Sequence, residues 1–348
     1  MNEHIQYLTM VKDTCYHCHQ CHCYHSTSLI GKYCYGEIAE KLLDGTTNAL
    51  NDSIFGCHEC GLCLNKCPRK FNAKEFMFHA RYIIESQNKE LCNCYSSVRV
   101  DQGNDVFSEI KKENNIVYDG ALMKDEDCEI LFVPGCHLSS SFPFLTNDLV
   151  TFLKKKNIIN GMTSICCGNP LYASGQYKAF QTYANKMKDL YEKHHVKTII
   201  TPCPSCYDFN QRLKNMGYLQ NIDILCLSEV LVNYNLYIDR NKFPEDYTVS
   251  IHDSCPDRKN GIFSNSIREL YKDFEIKELP HIKENTLCCG CGGLVPMYSK
   301  NISTEGKDIK INDYKQVNTN SMITTCFNCY KGLKEQIPIQ HYLFDLLR

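Results

Sequence analysis

The chain has 348 residues, a formal net charge of −2 and 24 cysteines. That length allows two or three domains with cores of their own, and so small a charge leaves no footprint for nucleic acid or an anionic membrane surface. Cysteine is the outlier. A chain this long needs no disulfide scaffold, so thiols at this density point to metal or redox chemistry in a reducing compartment. No run approaches the roughly 18 apolar residues of a membrane span, and Met1-Asn2-Glu3-His4 begins no basic-then-apolar signal pattern. A cytoplasmic protein is expected, with any membrane association peripheral and through a partner.

Residues 1–95 are expected to form an α-helical domain of ferredoxin type. Cys57-His58-Glu59-Cys60-Gly61-Leu62-Cys63-Leu64-Asn65-Lys66-Cys67-Pro68 matches C-x2-C-x2-C-x3-C-P, the run that binds a four-iron four-sulfur cubane. Three closely spaced thiolates wrap one corner of a cluster, and the fourth cysteine usually reaches a second one. Soft thiolates select iron–sulfur clusters or zinc over hard cations, and this staggered run offers zinc no closed tetrahedron. Upstream, Cys15-Tyr16-His17-Cys18-His19-Gln20-Cys21 begins a partner copy. His25 stands where its fourth cysteine should fall, and Cys23 and Cys34 are nearby substitutes. Imidazole also ligates cluster iron, so this eighth ligand stays open among the three.

If the crossing rule holds, one cubane takes Cys15, Cys18, Cys21 and Cys67. The other takes Cys57, Cys60, Cys63 and the eighth ligand. His17, His19 and His22 alternate with cysteines and would suit zinc, but the complete second motif favours two cubanes. Glu37–Leu43 and Phe71–Ile84 repeat their apolar residues at helical spacing, so helices rather than hairpins separate the motifs. Residues 96–128 read as a polar connector with one short helix near Val106–Lys112. Cys92, Cys94 and Cys128 border it without an assigned role.

Residues 129–247 and 248–348 are expected to be two duplicated α/β domains. Cys136, Cys166-Cys167-Gly168 and Cys203-Pro204-Ser205-Cys206 recur as Cys255, Cys288-Cys289-Gly290 and Cys326-Phe327-Asn328-Cys329, each counterpart 119 to 123 residues downstream (255−136 to 329−206). An ordered set of five that drifts so little is an internal duplication. Strand-like runs at Glu129–Val133, Thr198–Thr201, Val249–His252 and Met322–Thr325 end at or just before these cysteines, where open α/β folds bind ligands. Helices near Phe144–Lys156 and Tyr177–His194 would cover the first sheet. Cys226, after the run Ile222–Leu225, reads as core.

Five cysteines exceed the four of a closed zinc site. Neighbouring Cα atoms lie about 3.8 Å apart, so a Cys-Cys pair serves two irons of one cluster better than one ion. The glycine after each pair suggests a bent or closely approached backbone. A vicinal disulfide is the competing explanation, and it would have to recur beside a C-x2-C motif in both copies.

Twice-repeated Cys-x~30-Cys-Cys-Gly-x~35-Cys-x2-Cys behind two ferredoxin motifs resembles the cysteine-rich (CCG-domain) catalytic subunit of heterodisulfide reductase in its ferredoxin-fused form. Iron–sulfur subunits of anaerobic glycerol-3-phosphate dehydrogenase, glycolate oxidase and lactate-utilisation complexes are similar. The resemblance implies that each quintet holds an iron–sulfur cluster, the non-cubane four-iron form in the reductase, and that a disulfide is cleaved between the two. Cys136, Cys166, Cys167, Cys203 and Cys206 would hold one cluster. Cys255, Cys288, Cys289, Cys326 and Cys329 would hold the other. Cys291 is an addition without a place in the pattern.

Two functions compete. As an enzyme, the chain passes electrons from cubanes to the paired sites and reduces a disulfide or similar small redox substrate, with His252, three residues before Cys255, as a proton donor. As a non-catalytic carrier, it serves a flavin-dependent dehydrogenase. No G-x-G-x-x-G follows a strand, so a flavoprotein or other electron-donor subunit is expected as a partner either way.

Overall fold

A computed structural model describes residues 3–21, 32–87, 93–118 and 126–348. Cys23, His25, His22 and Cys92 lie outside the described residues. Among those up to residue 118 there are helices and no strand. In the helix Ala73–Gln87, Phe76, Ala80, Ile83 and Ile84 recur at the spacing of one helical face. That face meets Leu8 and Val11 of Glu3–Thr14 and Ile38 and Leu42 of Tyr35–Leu43 in one apolar core. The short helix expected in the connector runs Val106–Glu113, capped by the Asp105 carboxylate, which accepts from the N–H groups of Phe107 and Ser108.

The rest is two parallel sheets built alike. Strands β1 (Ile130–Phe132), β2 (Gly161–Met162), β3 (Thr198–Thr201) and β4 (Asp223–Cys226) lie in the order β2-β1-β3-β4. Strands β5 (Thr248–His252), β6 (Glu275–Ile276), β7 (Ser321–Thr324) and β8 (Ile339–His341) repeat it as β6-β5-β7-β8. Parallel neighbours require crossover connections, and the helices Pro143–Lys155, Tyr177–Lys193, Ile262–Leu270 and Lys300–Tyr314 supply them. The chain leaves β1 in one direction and β3 in the other, so a crevice opens between their C-terminal ends. The same holds for β5 and β7. The main strands fall where the apolar runs predicted them. β2, β6 and β8 were not legible, because two or three residues are too few to show a period.

The two halves bury each other. Phe132 and Ile200 of the first sheet share an apolar cluster with Val249, Ile251 and Ile323 of the second. Each such side chain contributes about 1.5–3 kcal/mol when buried fully. Cys128 and Cys226 are fully buried, and every described cysteine is free of disulfide bonds. Among the described residues, no helix is long and apolar enough to cross a membrane.

Candidate functional site

Each C-x2-C motif opens a helix. Cys203 is the N-cap of Pro204–Asn215, and Cys326 is the N-cap of Phe327–Leu333. The last residue of the preceding strand holds each in place: Thr201 Oγ1 accepts from Cys203 N–H and Thr324 Oγ1 from Cys326 N–H, both at 3.3 Å. The Cys206 side chain first, and then the N–H groups of Cys206 and Ser205, lower the Cys203 thiol from its ordinary range against the effect of burial. Gly168 and Gly290, which follow the Cys-Cys pairs, both have positive φ, 85° and 76°. A Cβ on Gly290 would also collide with the backbone of the helix Lys300–Tyr314.

Within each half the thiols form the same chain of contacts. Cys136 touches Cys166, Cys166 touches Cys167, Cys167 touches Cys206, and Cys206 touches Cys203. In the second half the order is Cys255, Cys288, Cys289, Cys329 and Cys326, with Cys329 Sγ donating to Cys289 Sγ at 3.1 Å. The neighbouring thiol first, and burial with it, pushes Cys166, Cys206 and Cys255 well above the ordinary thiol range. Such groups ionise when a soft metal takes the proton's place. Five converging thiols per half fit a multinuclear iron–sulfur cluster better than a single zinc ion.

Both sets open onto one cleft. A cavity of about 350 Å³ is lined by all five cysteines of the first half together with Cys291 and Cys326 of the second. An adjoining pocket is lined by Cys255, Cys289, Cys326 and Cys329, and the two pockets share Glu59, Asn169, Ser205 and Asn328. Cys291, which had no place in the sequence pattern, is thus a cleft residue. Its counterpart in the first half is Asn169 (291−122).

His252 is not among the residues lining that cleft. It ends β5, 1% exposed, with a ring nitrogen and the Cys289 and Cys329 sulfurs all within 4.8 Å of one another. Neither ring nitrogen has a hydrogen-bond partner among the described residues. Burial, and then the charges of Lys310 and Arg258, lowers its pKa far below the usual histidine range and keeps it neutral. The first half has Val133 at this position (252−119), so it has no counterpart of His252 there.

The N-terminal cysteines lead towards the second set. The loops Cys15–Cys21 and Cys57–Cys63 share a backbone pattern: φ is 49° at His17 and 51° at Glu59, then 55° at His19 and 76° at Gly61. Cys15 Sγ accepts from His17 N–H at 3.5 Å, and Cys57 Sγ accepts from Glu59 N–H at 3.4 Å. Cys15, Cys18, Cys21 and Cys67 line one pocket, and Cys34 lines it with them. Cys60 packs in an apolar cluster with Cys288 and Cys255, and Arg258 Nε donates to the Cys60 carbonyl at 3.0 Å.

Three residues that pattern reading passed over hold this junction. Arg81 is fully buried, donating to Glu59, to the carbonyls of Ile54 and Cys57, and to Ala173 of the first α/β half. A charge on the apolar stripe of Ala73–Gln87 was the available signal for it. Glu59 pairs with Arg81 and also lines both pockets. Tyr35 Oη lies 2.8 Å from Cys63 Sγ and donates to it once that sulfur is ionised. Hydrogen bonds to cluster sulfurs raise the reduction potential. Tyr35→Phe is therefore expected to lower the potential of a cluster held at Cys57–Cys63 by about 40–60 mV, roughly 1 kcal/mol for one electron. A redox titration followed by EPR checks this, and an unmoved potential would refute it.

Two parallel α/β repeats that each carry a chain of five touching cysteines beside a common cleft define a duplicated cysteine-rich domain. Residues 130–209 and 249–334 match the family described as the cysteine-rich domain, CCG, and the chain carries two domains of that family. It is similar to an uncharacterized iron-sulfur protein of Methanococcus maripaludis, at 22% identity over 324 residues, covering 86% of this chain and 63% of the relative. One subunit of fumarate reductase (CoM/CoB) from Methanothermobacter marburgensis is 21% identical over 329 residues, 90% of this chain and 64% of that protein. One subunit of dihydromethanophenazine:CoB–CoM heterodisulfide reductase from Methanosarcina barkeri is 21% identical over 311 residues, 82% of this chain and 73% of that protein. The chain spans somewhat under two thirds of the first two relatives. Its clustered thiols, together with relatives that are iron–sulfur proteins, support bound iron–sulfur clusters.

Proposed function

We propose that this chain is an iron–sulfur oxidoreductase that carries electrons from a ferredoxin-type domain, residues 1–95, to two facing cysteine-rich sites, where a disulfide is reduced. Cys15, Cys18, Cys21 and Cys67 hold one cubane. Cys57, Cys60 and Cys63 hold the other, completed by Cys23, His25 or Cys34. The two quintets hold the remaining clusters, in the non-cubane four-iron form. Bound there, the clusters supply single electrons and soft iron on either side of the cleft.

The observation that carries this reading is the shared cleft. A disulfide takes up two electrons and two protons to give two thiols, and two thiol sets that reach adjoining pockets suit a substrate held between them. Asn169, Ser205 and Asn328, common to both pockets, are the polar groups that orient it. The path inward is supported by Tyr35 beside Cys63 and by Cys60 packed on Cys288 and Cys255. His252 tunes the second site as a neutral imidazole beside the Cys289 and Cys329 thiols. A flavoprotein or another donor protein supplies the electrons, in keeping with relatives named as parts of reductases.

The test uses the full chain, purified and reconstituted without oxygen, reduced with a viologen and offered mixed disulfides. Two thiols released per disulfide, together with an EPR signal that changes when thiol is added, are expected. Electron transfer to a quinone or ferredoxin with the disulfides left intact would instead make the chain a relay for a flavin-dependent dehydrogenase. Colourless protein free of iron would refute both.

A further inference from the structure

The first cysteine loop differs from its sister in a way that cubane ligation does not use. Where Cys57–Cys63 carries Glu59 and Gly61, Cys15–Cys21 carries His17 and His19 in the same left-handed torsions. The start of the helix Tyr35–Leu43 brings Cys34 and Glu37 alongside them. His19, Cys34 and Glu37 each contribute a donor atom, all within 4.8 Å of one another. His19 Nε2 lies 3.6 Å from Glu37 Oε1, and His17 Nδ1 lies 3.7 Å from Cys34 Sγ. Zinc bonds of about 2.0 Å to nitrogen or oxygen and 2.3 Å to sulfur, set tetrahedrally, place neighbouring donors about 3.3–3.5 Å apart. The two measured separations need to close by only a few tenths of an ångström, and His17, which stands outside the group of three, must turn its ring inward to complete the four.

Counting thiols points the same way. Five cysteines line this pocket, a cubane takes four, and Cys15, Cys18, Cys21 and Cys67 already make four. Cys34 is the surplus thiol, fully buried. Glu37 is held in place by its other oxygen, Oε2, which accepts from the Cys34 N–H at 2.8 Å. The His17 ring rests against Gly36, where a Cβ would come within 2.8 Å of it. A capping carboxylate beside a surface histidine accounts for Glu37 and His19. The same capping box sets the Cys34 thiol against the Glu37 N–H, but it does not account for the second imidazole next to that thiol.

We propose that His17, His19, Cys34 and Glu37 form a mononuclear zinc site that staples the first cysteine loop to the helix Tyr35–Leu43. One sulfur, two nitrogens and one oxygen suit a borderline-soft ion, and the thiol proton of Cys34 leaves as zinc binds. Cys34 is then removed from the contest for the eighth cubane ligand, leaving Cys23 and His25.

The test is zinc content of the full chain, reconstituted with iron, sulfide and zinc and then dialysed, with cubane EPR and iron counted on the same sample. About one zinc per chain is expected, with one sulfur and otherwise nitrogen and oxygen neighbours by zinc X-ray absorption. His19→Gly, which installs the residue the sister loop already tolerates, and Glu37→Gln should each cut zinc retention at least about tenfold, with the cubane signals unchanged. No retained zinc, zinc unaffected by His19→Gly, or a cubane signal lost in Cys34→Ser would each overturn the proposal. The disulfide assay is independent of this one, so either reading can fail alone.

Discussion

Arg81→Ala is expected to destabilise the folded chain by about 3–5 kcal/mol, the cost of breaking a buried ion pair by removing one partner. The guanidinium is fully buried, its pair with Glu59 spans 2.6 Å, and the Glu59 side chain is 8% exposed. Removing Arg81 strands that carboxylate and leaves the Ile54, Cys57 and Ala173 carbonyls without their donor. Those carbonyls belong to the Cys57 loop, the helix before it and the first α/β half, so the loop loses its hold on the cleft. The loop is held on its other side by Gly293, where a Cβ would collide with the Cys57 carbonyl. The midpoint of anaerobic denaturation measures the loss. Replacing both Arg81 and Glu59 with Met should recover much of it, because no buried charge is then left alone. Arg81→Lys, which keeps the charge but loses the planar fork, should fall in between. A midpoint equal to that of the unaltered chain in Arg81→Ala would mean the junction is held by packing alone.

Cys167→Ser and Cys289→Ser are expected to abolish disulfide turnover separately, by more than the roughly 10–100-fold that outer-ligand changes cost. Each residue is the middle member of its thiol chain, and serine replaces a soft ligand with a hard one of nearly the same shape. Each variant should lose the iron of its own half and keep that of the other. The N-terminal clusters should still accept electrons, which separates failed chemistry from failed delivery. If one of the two variants keeps full turnover, a substrate held between paired sites is the wrong picture, and one half alone carries the reaction.

Much of this was legible in the chain before any fold was known. A thiol's chemistry travels with the residue, so C-x2-C-x2-C-x3-C-P and two ordered quintets announce soft-metal binding wherever they lie. The strands carrying the cysteines could be read because buried parallel strands are apolar runs, and the glycines after the Cys-Cys pairs because a left-handed turn calls for them. Cys34 was open among three candidates for one cluster, and the fold lays it in the pocket of Cys15, Cys18, Cys21 and Cys67. His252 was read as a proton donor from its place near Cys255, whereas its neutrality comes from burial.

The sequence by itself determined which thiols are available to a soft metal and that the arrangement is duplicated, because ligand type and local spacing are properties of short stretches of chain. Only the tertiary structure decided that the quintets meet across one cleft, that Cys291 joins them there, and that Arg81 and Glu59 hold the Cys57 loop to both. Those relations depend on how two sheets pack through Phe132, Ile200, Val249 and Ile323. Residues brought together over a hundred positions apart by nondirectional apolar burial leave no mark in the local pattern.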